Sequence, residues 1–200
     1  MKLIALSLLL AILPAFQASP KKHKYAGPKC LGGFCFHGGS KKNLAAAFGK
    51  LPKNKMLYCH KTSDAKAYLQ YEIDDEYRVN GGLFTIGEVV ITDFPNCPGE
   101  YSLFAGSAAQ AAWQTPEGIG LGSSEQDVIR AYGKPVKREE VTAKSVASSM
   151  IVDGHGESKE VPADVGGILL TYNSDYADLR LTWILLRQGK VSGIRLGDVE

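Results

Sequence analysis

The stretch Gly118–Pro135 constrains the fold of this 200-residue chain more than any other. It opens with closely spaced glycines, and Ser124 then stands where its hydroxyl can accept a hydrogen bond from the free amides of a first helical turn. Gly133 suits the left-handed position that follows a helix, and Pro135 cannot continue one. The stretch therefore predicts a short helix over Ser124–Tyr132, with both of its ends encoded locally.

Three apolar segments near the end of the chain predict strands. They cover Gly167–Tyr172, Leu179–Leu186 and Lys190–Leu196, and the turns between them are short enough to make neighbours antiparallel. Alternation divides the middle segment between two faces. One face, expected beneath Val128, Ile129 and Tyr132 of the helix, carries Leu179, Leu181, Trp183 and Leu185. The other carries Arg180, Thr182 and Ile184, and an antiparallel sheet can leave such a face open to a protein partner.

The region between the helix and these strands is less regular. Val136–Val141 predicts one more strand. Thr142–Asp164 has little apolar periodicity and contains an Asp-Gly pair, which favours a long hairpin or a mobile excursion.

The first half of the chain shows the same order of a helix followed by strands. A helix is predicted over Ser40–Phe48, and the strands that follow it are predicted over Met56–Cys59, Ala67–Ile73 and Leu83–Thr92, with a turn at Asp74-Asp75-Glu76. Ser40–Lys50 aligns with Ser124–Lys134 through the cap serine, one apolar residue, one aromatic residue and the Gly-Lys ending. Thr85–Asp93 aligns with Lys190–Asp198 with apolar positions in register. Both alignments indicate an internal repeat.

We therefore expect an α+β fold of two small modules, each a short helix or helix pair packed on an antiparallel sheet of about four strands. The expected segments are a signal peptide at 1–18, a flexible basic leader at 19–29, a first module at 30–98, a connector at 99–116 and a second module at 117–200.

The N-terminus has the layout of a secretory signal peptide. Lys2 precedes an apolar run from Leu3 to Leu13, and Pro14 and small residues follow it. The run is too short to cross a bilayer, and no later segment reaches that length. We expect cleavage near Ala18 and a mature protein that is secreted or periplasmic, without a transmembrane segment.

The four cysteines predict two disulfides, because an exported protein folds in an oxidising compartment. Sequence alone allows three pairings. In one of them Cys30 pairs with Cys35 and Cys59 pairs with Cys97. A metal site is the alternative, with Cys30, Cys35, His37, Cys59 and His60 as candidate ligands, but their spacing does not match a zinc finger or ribbon.

Charge divides the chain into a basic and an acidic part. Ser19–Gln70 contains eleven lysines and one acid, a net charge of +10, whereas Tyr71–Glu200 has a net charge of −9. Mutual attraction of the two parts is the simpler interpretation. The functional alternative is that the lysine-rich part binds an acidic surface or a polyanion.

The pattern Gly118-Ile119-x-Leu121-Gly122-x-Ser124-x-x-Asp127-Val128-x-x-x-Tyr132-Gly133-Lys134-Pro135 resembles that of the exported BamE/SmpA-like outer-membrane assembly lipoproteins. The strand-rich end, with Gly189-Lys190-Val191-x-x-Ile194, extends the likeness. A tandem pair of such modules with disulfides is similar to the beta-lactamase inhibitory protein family. The chain lacks the lipid-acceptor cysteine of the lipoproteins. The resemblance implies a non-catalytic binding protein of the cell envelope.

No catalytic or cofactor motif is complete. The glycines before Ser124 invite a phosphate-loop interpretation, but the lysine of that motif is missing, and a structural turn is favoured. We expect no cofactor, no metal and no catalytic residue. The candidate binding residues are Tyr68, Tyr71, Tyr172 and Arg180.

The expected function is therefore interaction with, or inhibition of, another protein, with no specific nucleic acid as partner. One alternative is an envelope enzyme in which His60 or His155 meets an acid in a deep pocket. The other is surface or polyanion binding through the lysine-rich half.

Overall fold

The computed structural model describes residues 27–28, 30–31, 34–35, 39–40, 57–79, 83–97, 102–103, 113–150, 162, 164–173 and 180–198. The backbone alone is described at 34–35, 39–40, 57, 73–79, 83–87, 102–103, 180 and 198. Within these residues the strands are β1 (Cys30–Leu31), β2 (Phe34–Cys35), β3 (Gly39–Ser40), β4 (Leu57–Lys61), β5 (Tyr68–Val79), β6 (Leu83–Thr92), β7 (Ser102–Leu103), β8 (Lys137–Val141), β9 (Gly167–Asn173), β10 (Arg180–Arg187) and β11 (Lys190–Asp198). The helices are α1 (Glu125–Tyr132) and α2 (Ala143–Met150).

One sheet contains the strands of both halves of the chain. Its order is β7-β4-β5-β6-β11-β10-β9-β8, and β3 also pairs with β6. All neighbours are antiparallel except β7, which runs parallel to β4. Strands β1 and β2 form a separate two-stranded ladder. The prediction of two small helix-on-sheet modules is therefore wrong, because a single sheet with seven long antiparallel strands runs across the predicted connector.

The pairing of β6 with β11, which we call the β6–β11 seam, joins the strands of the two halves into one sheet. In this ladder Val90 lies opposite Arg195, the residue that the internal alignment assigns as its counterpart. A side chain on Gly197 would overlap the space of Glu88, since a Cβ there would lie 2.6 Å from Glu88 Oε1. Arg195 pairs with the Glu88 carboxylate across the same seam. The backbone donors and acceptors of β6 and β11 thus bond to each other. In two separate modules, both strands would be edges with unpaired backbone groups.

One face of the sheet carries a core shared by both halves. Helix α1 packs Val128 and Tyr132 into it. The sheet residues of this core are Leu69, Tyr71, Val89, Ile91, Leu170, Tyr172, Ile184, Leu186, Ile194 and Leu196. The predicted face of β10 is therefore wrong, because α1 covers the side of Ile184 and not that of Leu185. Alternation separates the two faces of a strand but does not tell which one a given helix covers.

The opposite face is covered by α2, which the sequence prediction missed. Val146 and Met150 of α2 are fully buried and pack with Leu185 and Leu169, and Trp183 lies against this cluster. The region predicted as a hairpin or mobile excursion therefore begins with a helix. Residues 151–161 lie outside the described part of the chain.

Most local predictions hold. The Ser124-capped helix and the predicted segments that became β6, β8, β9, β10 and β11 are confirmed, with small shifts at their ends. The predicted turn at Asp74–Glu76 is wrong, because β5 continues to Val79 through an irregular stretch of its ladder with β6. Ser40 lies in β3, and the rest of its predicted helix falls outside the described residues.

Candidate functional site

Strand β8 ends the sheet and is the clearest surface for binding. Among the described strands it pairs with β9 alone, from Lys137 opposite Thr171 to Val141 opposite Gly167. Lys137, Arg138 and Glu140 are exposed. The other side of the strand therefore presents backbone donors and acceptors that no described strand satisfies.

Helix α1 lies beside this edge because its ends are fixed by sequence. Ser124 accepts a hydrogen bond from the Asp127 amide, and the Asp127 carboxylate accepts one from the Ser124 amide. The Ser124 hydroxyl also donates to the Asp127 carboxylate, and this bond is the main reason that the pKa of Asp127 lies below its usual value. Gly133, with φ 78, ends the helix. A turn of three residues then separates the helix end from Val136.

An ion pair joins α1 to β8. Arg138 donates from Nε to Glu125 Oε1 at 2.8 Å and from Nη2 to Glu125 Oε2 at 3.4 Å. The hydrogen bonds that Arg138 donates to Glu125, and then the charge of Glu125, raise the pKa of the Arg138 guanidinium. On the opposite face of the strand, Lys137 pairs with Glu139 at 2.8 Å. Each face of β8 therefore carries both signs of charge.

Two apolar side chains flank the edge. Val136, just before β8, is 65% exposed, and Ile129 on α1 is 37% exposed. They are the exposed large hydrophobic residues of the described part of the chain. Ile129 lies one helical turn after Glu125, on the side of α1 that faces β8. We call Ile129, Val136 and Lys137–Val141 together the β8 edge surface.

A groove of about 410 Å³ opens beside the end of β8. Glu140 and Arg138 line it together with Gly166 and Gly167. A Cβ on Gly167 would overlap the Leu186 carbonyl oxygen, so a larger residue there would displace the neighbouring strand. The groove lies on the α1 side of β8 and runs from there toward the turn between β10 and β11.

A second groove, of about 330 Å³, lies between α1 and the glycine-rich loop before it. Glu117 and Asp127 line it, which does not suit an anion. Gly118 and Gly122 adopt left-handed backbone, with φ 81 and 85, so these glycines serve the turn. Tyr132 donates to Glu117 Oε2 at 2.7 Å and fixes the loop to the helix.

The predicted binding residues do not meet in one site. Tyr71 and Tyr172 are both fully buried in the core beneath α1, on strands β5 and β9, with three strands between them. Burial raises the pKa of Tyr172 to about 12. Tyr68 is half-buried, and its ladder position, an odd number of residues from Tyr71, places it on the opposite face. The Arg180 side chain lies outside the described part.

His60 is buried in the core. It is 6% exposed and stacks on Tyr71 at 5.8 Å, and Tyr71 stacks on Tyr58 at 4.9 Å. Burial lowers the pKa of His60 to about 4, so the ring is neutral near pH 7. Neither of the two grooves includes His60. His155, the other histidine proposed for catalysis, lies outside the described residues.

The cysteines are used in covalent links. Cys59 of β4 is joined to Cys97 by a disulfide with a Cα–Cα distance of 6.1 Å. Cys30 is also disulfide-bonded, and Cys35 is its backbone partner in the β1–β2 ladder. Within the described residues, no three His, Cys, Asp or Glu side chains are grouped as metal ligands.

Neither described helix has the length and apolar character needed to cross a bilayer. Comparison of the chain with protein-family models, with curated proteins and with solved structures finds no match.

The β8 edge surface is identified by its geometry. Its signal in the sequence is the charged Lys-Arg-Glu-Glu run that begins at Lys137, directly after the apolar Val136.

Proposed function

We propose that this protein is an exported, non-catalytic binding protein that takes an extended segment of a partner protein on its β8 edge surface. One observation carries the proposal. The strand at the end of the sheet has no second neighbour among the described strands, and Val136, just before it, and Ile129, on α1, are exposed and apolar.

Strand addition suits this edge physically. A partner strand about 5 Å from β8 would satisfy its outward backbone groups, and alternate side chains would contact Arg138 and Glu140 or Lys137 and Glu139. Charges on an edge strand also discourage indiscriminate pairing. A partner is therefore selected by matching charge as well as by backbone hydrogen bonds.

Export is part of the proposal. The signal-peptide layout and the Cys59–Cys97 disulfide support a secreted or periplasmic protein. The resemblance of Gly118–Pro135 to BamE/SmpA-like modules supports binding over catalysis, and affiliation with that family is proposed with it. The buried, neutral His60 lends no support to the enzyme alternative. The lysine-rich part from residue 19 to 56 lies almost wholly outside the described residues.

Site-specific photocrosslinking tests the proposal. A photoreactive amino acid is placed at Val136, and at Ser63 as a control, since Ser63 is exposed in the turn between β4 and β5. Each protein is incubated with native envelope extract or with purified mature protein and illuminated. We expect discrete protein adducts from Val136 alone. Equal adducts from both positions, or none from Val136, would refute the proposal.

Charged substitutions provide the matched binding test. Ile129→Lys with Val136→Lys should remove the adduct formed by a probe placed at the exposed Lys137, because the partner segment loses its apolar flanks. Ser63→Lys adds the same charge at an exposed position and should leave the adduct intact. A Lys137 adduct that survives the double substitution would show that the apolar flanks have no part in binding.

A further inference from the structure

We infer that the segment bound at the β8 edge surface is β8 of a second copy, paired antiparallel about Glu139, so that the protein forms a two-fold dimer with one continuous sheet. The inference rests on the proposed function, because it names the partner of the same edge.

Symmetry limits the registers that two copies can adopt. A two-fold axis that relates antiparallel neighbours stands perpendicular to the sheet, so each face continues into the same face of the second copy. Residues directly opposite must therefore lie on the same face, and the axis passes midway between one residue of β8 and the same residue of the second copy. Centring on Glu139 pairs all five residues of β8. A shift of two places in either direction pairs only three of them.

The charges of β8 match in this register. On the sheet face that α1 covers, Arg138 lies opposite Glu140 of the second copy. Glu140 likewise lies opposite Arg138 of the second copy, which gives two symmetric ion pairs. Glu125 already holds the Arg138 guanidinium through Nε and Nη2, and Nη1 makes no described bond. A second carboxylate can therefore bind without disturbing the first. The shifted registers place Arg138 or Glu140 opposite itself.

The other face tolerates the same register. Glu139 lies opposite its own equivalent at the axis, but Lys137 of the same strand already neutralises it at 2.8 Å. Lys137 lies opposite Val141 of the second copy, where its aliphatic stem can pack. The strand sequence Lys-Arg-Glu-Glu-Val is thus self-complementary when it runs antiparallel.

The interface is small, which sets the expected affinity. Five residues paired along an exposed strand, with the flanks of Ile129 and Val136, bury less area than a typical stable interface. We expect a dimer that dissociates in the micromolar range or above, and that weakens as salt screens its exposed ion pairs.

Charge reversal in the full mature chain tests the inference by analytical ultracentrifugation over a range of concentrations. Arg138→Glu and Glu140→Arg should each weaken dimerisation at least about tenfold, because each turns two attractive pairs into repulsive ones. Lys134→Glu is the matched control, since Lys134 is exposed and precedes the edge. It should dimerise like the wild type.

Mixing the two weakened variants gives the decisive result. One variant carries two carboxylates and the other two guanidiniums at the paired positions, so the mixture should form heterodimers as tight as the wild-type dimer. R138E/E140R should also dimerise again. Circular dichroism melts confirm that each variant is folded, and mixing restores affinity only if the variants fold.

The inference is overturned if the wild-type protein remains monomeric at all concentrations. It is also overturned if the two charge-reversal variants form no heterodimers when mixed. In either case, a Val136 adduct with a different protein would leave strand addition at this edge standing. Absence of any Val136 adduct would overturn both the dimer and the proposed function.

Discussion

The two ends of the sheet are stabilised in different ways. At the β4 end, the Cys59–Cys97 disulfide closes the structure, and Tyr58, Tyr71 and His60 stack within the core. At the β8 end, exposed ion pairs and a capped helix border an edge strand with no second neighbour among the described strands. Fold stability should therefore depend on the first end, and association on the second.

The largest effect is expected from removing the disulfide. Cys59→Ala with Cys97→Ala frees a 38-residue span, and the lost constraint on the unfolded chain should lower the free energy of unfolding by about 4 kcal/mol. Urea unfolding under oxidising conditions measures it. A loss below about 1 kcal/mol would mean that the stacked core, and not the covalent link, stabilises this end.

Acid should destabilise the same end through His60. The pKa of His60 is about 4 in the folded protein, below its usual value of 6.5, so the unfolded chain binds the proton first as pH falls. Protonation of His60 in the unfolded chain therefore lowers the free energy of unfolding. The loss is absent above about pH 6.5, develops between about pH 6.5 and 4, and amounts to about 3 kcal/mol.

His60→Gln provides the control for this pH dependence, because glutamine does not titrate. Unfolding free energies of both proteins are compared at intervals from pH 7 to 4. The difference between them should change across this window. Parallel curves would show that His60 titrates normally in the folded protein.

The helix cap at the β8 end should have a smaller effect. Ser124→Ala removes the side-chain acceptor of the Asp127 amide and should cost about 1 kcal/mol. Ser148→Ala is the matched control, since its exposed hydroxyl makes only a long bond to the preceding turn of α2. Equal melting temperatures for the two variants would contradict the role of Ser124.

The smallest effect on stability is expected at the edge itself. Arg138→Gln breaks the exposed pair with Glu125 and should leave the free energy of unfolding of the dilute monomer nearly unchanged, because solvent screens exposed ion pairs. The same variant should weaken association measured by ultracentrifugation. A large loss of stability with unchanged association would reverse the proposed division between the two ends.

Local sequence predicted the elements better than their assembly. Ser124, Gly133 and Pro135 determine α1 through contacts within a few residues, and alternation identifies most strands. The β6–β11 seam could not be predicted, because strands about a hundred residues apart pair through backbone groups common to every sequence. The repeat alignment coincides with this ladder at one position, because Val90 lies opposite Arg195, the residue aligned with it.

The candidate site shows the same limit. Tyr71 and Tyr172 are predicted as binding residues because they are aromatic, yet both are interior, since helix and loop residues cover that face. The sequence predicts a strand over Val136–Val141, and only the sheet order places it at an edge. Helix α2 does have apolar residues at helical spacing, but its serines and short length concealed them.

Hydrogen exchange of the mature wild-type protein, measured at increasing concentration, tests the central claim most directly. The β8 amides that point away from β9 should become protected as the protein associates, while amides of β4 near the opposite end keep their exchange rates. Association without added protection at these outward β8 amides, or with protection confined to β4, would contradict binding at the β8 edge surface.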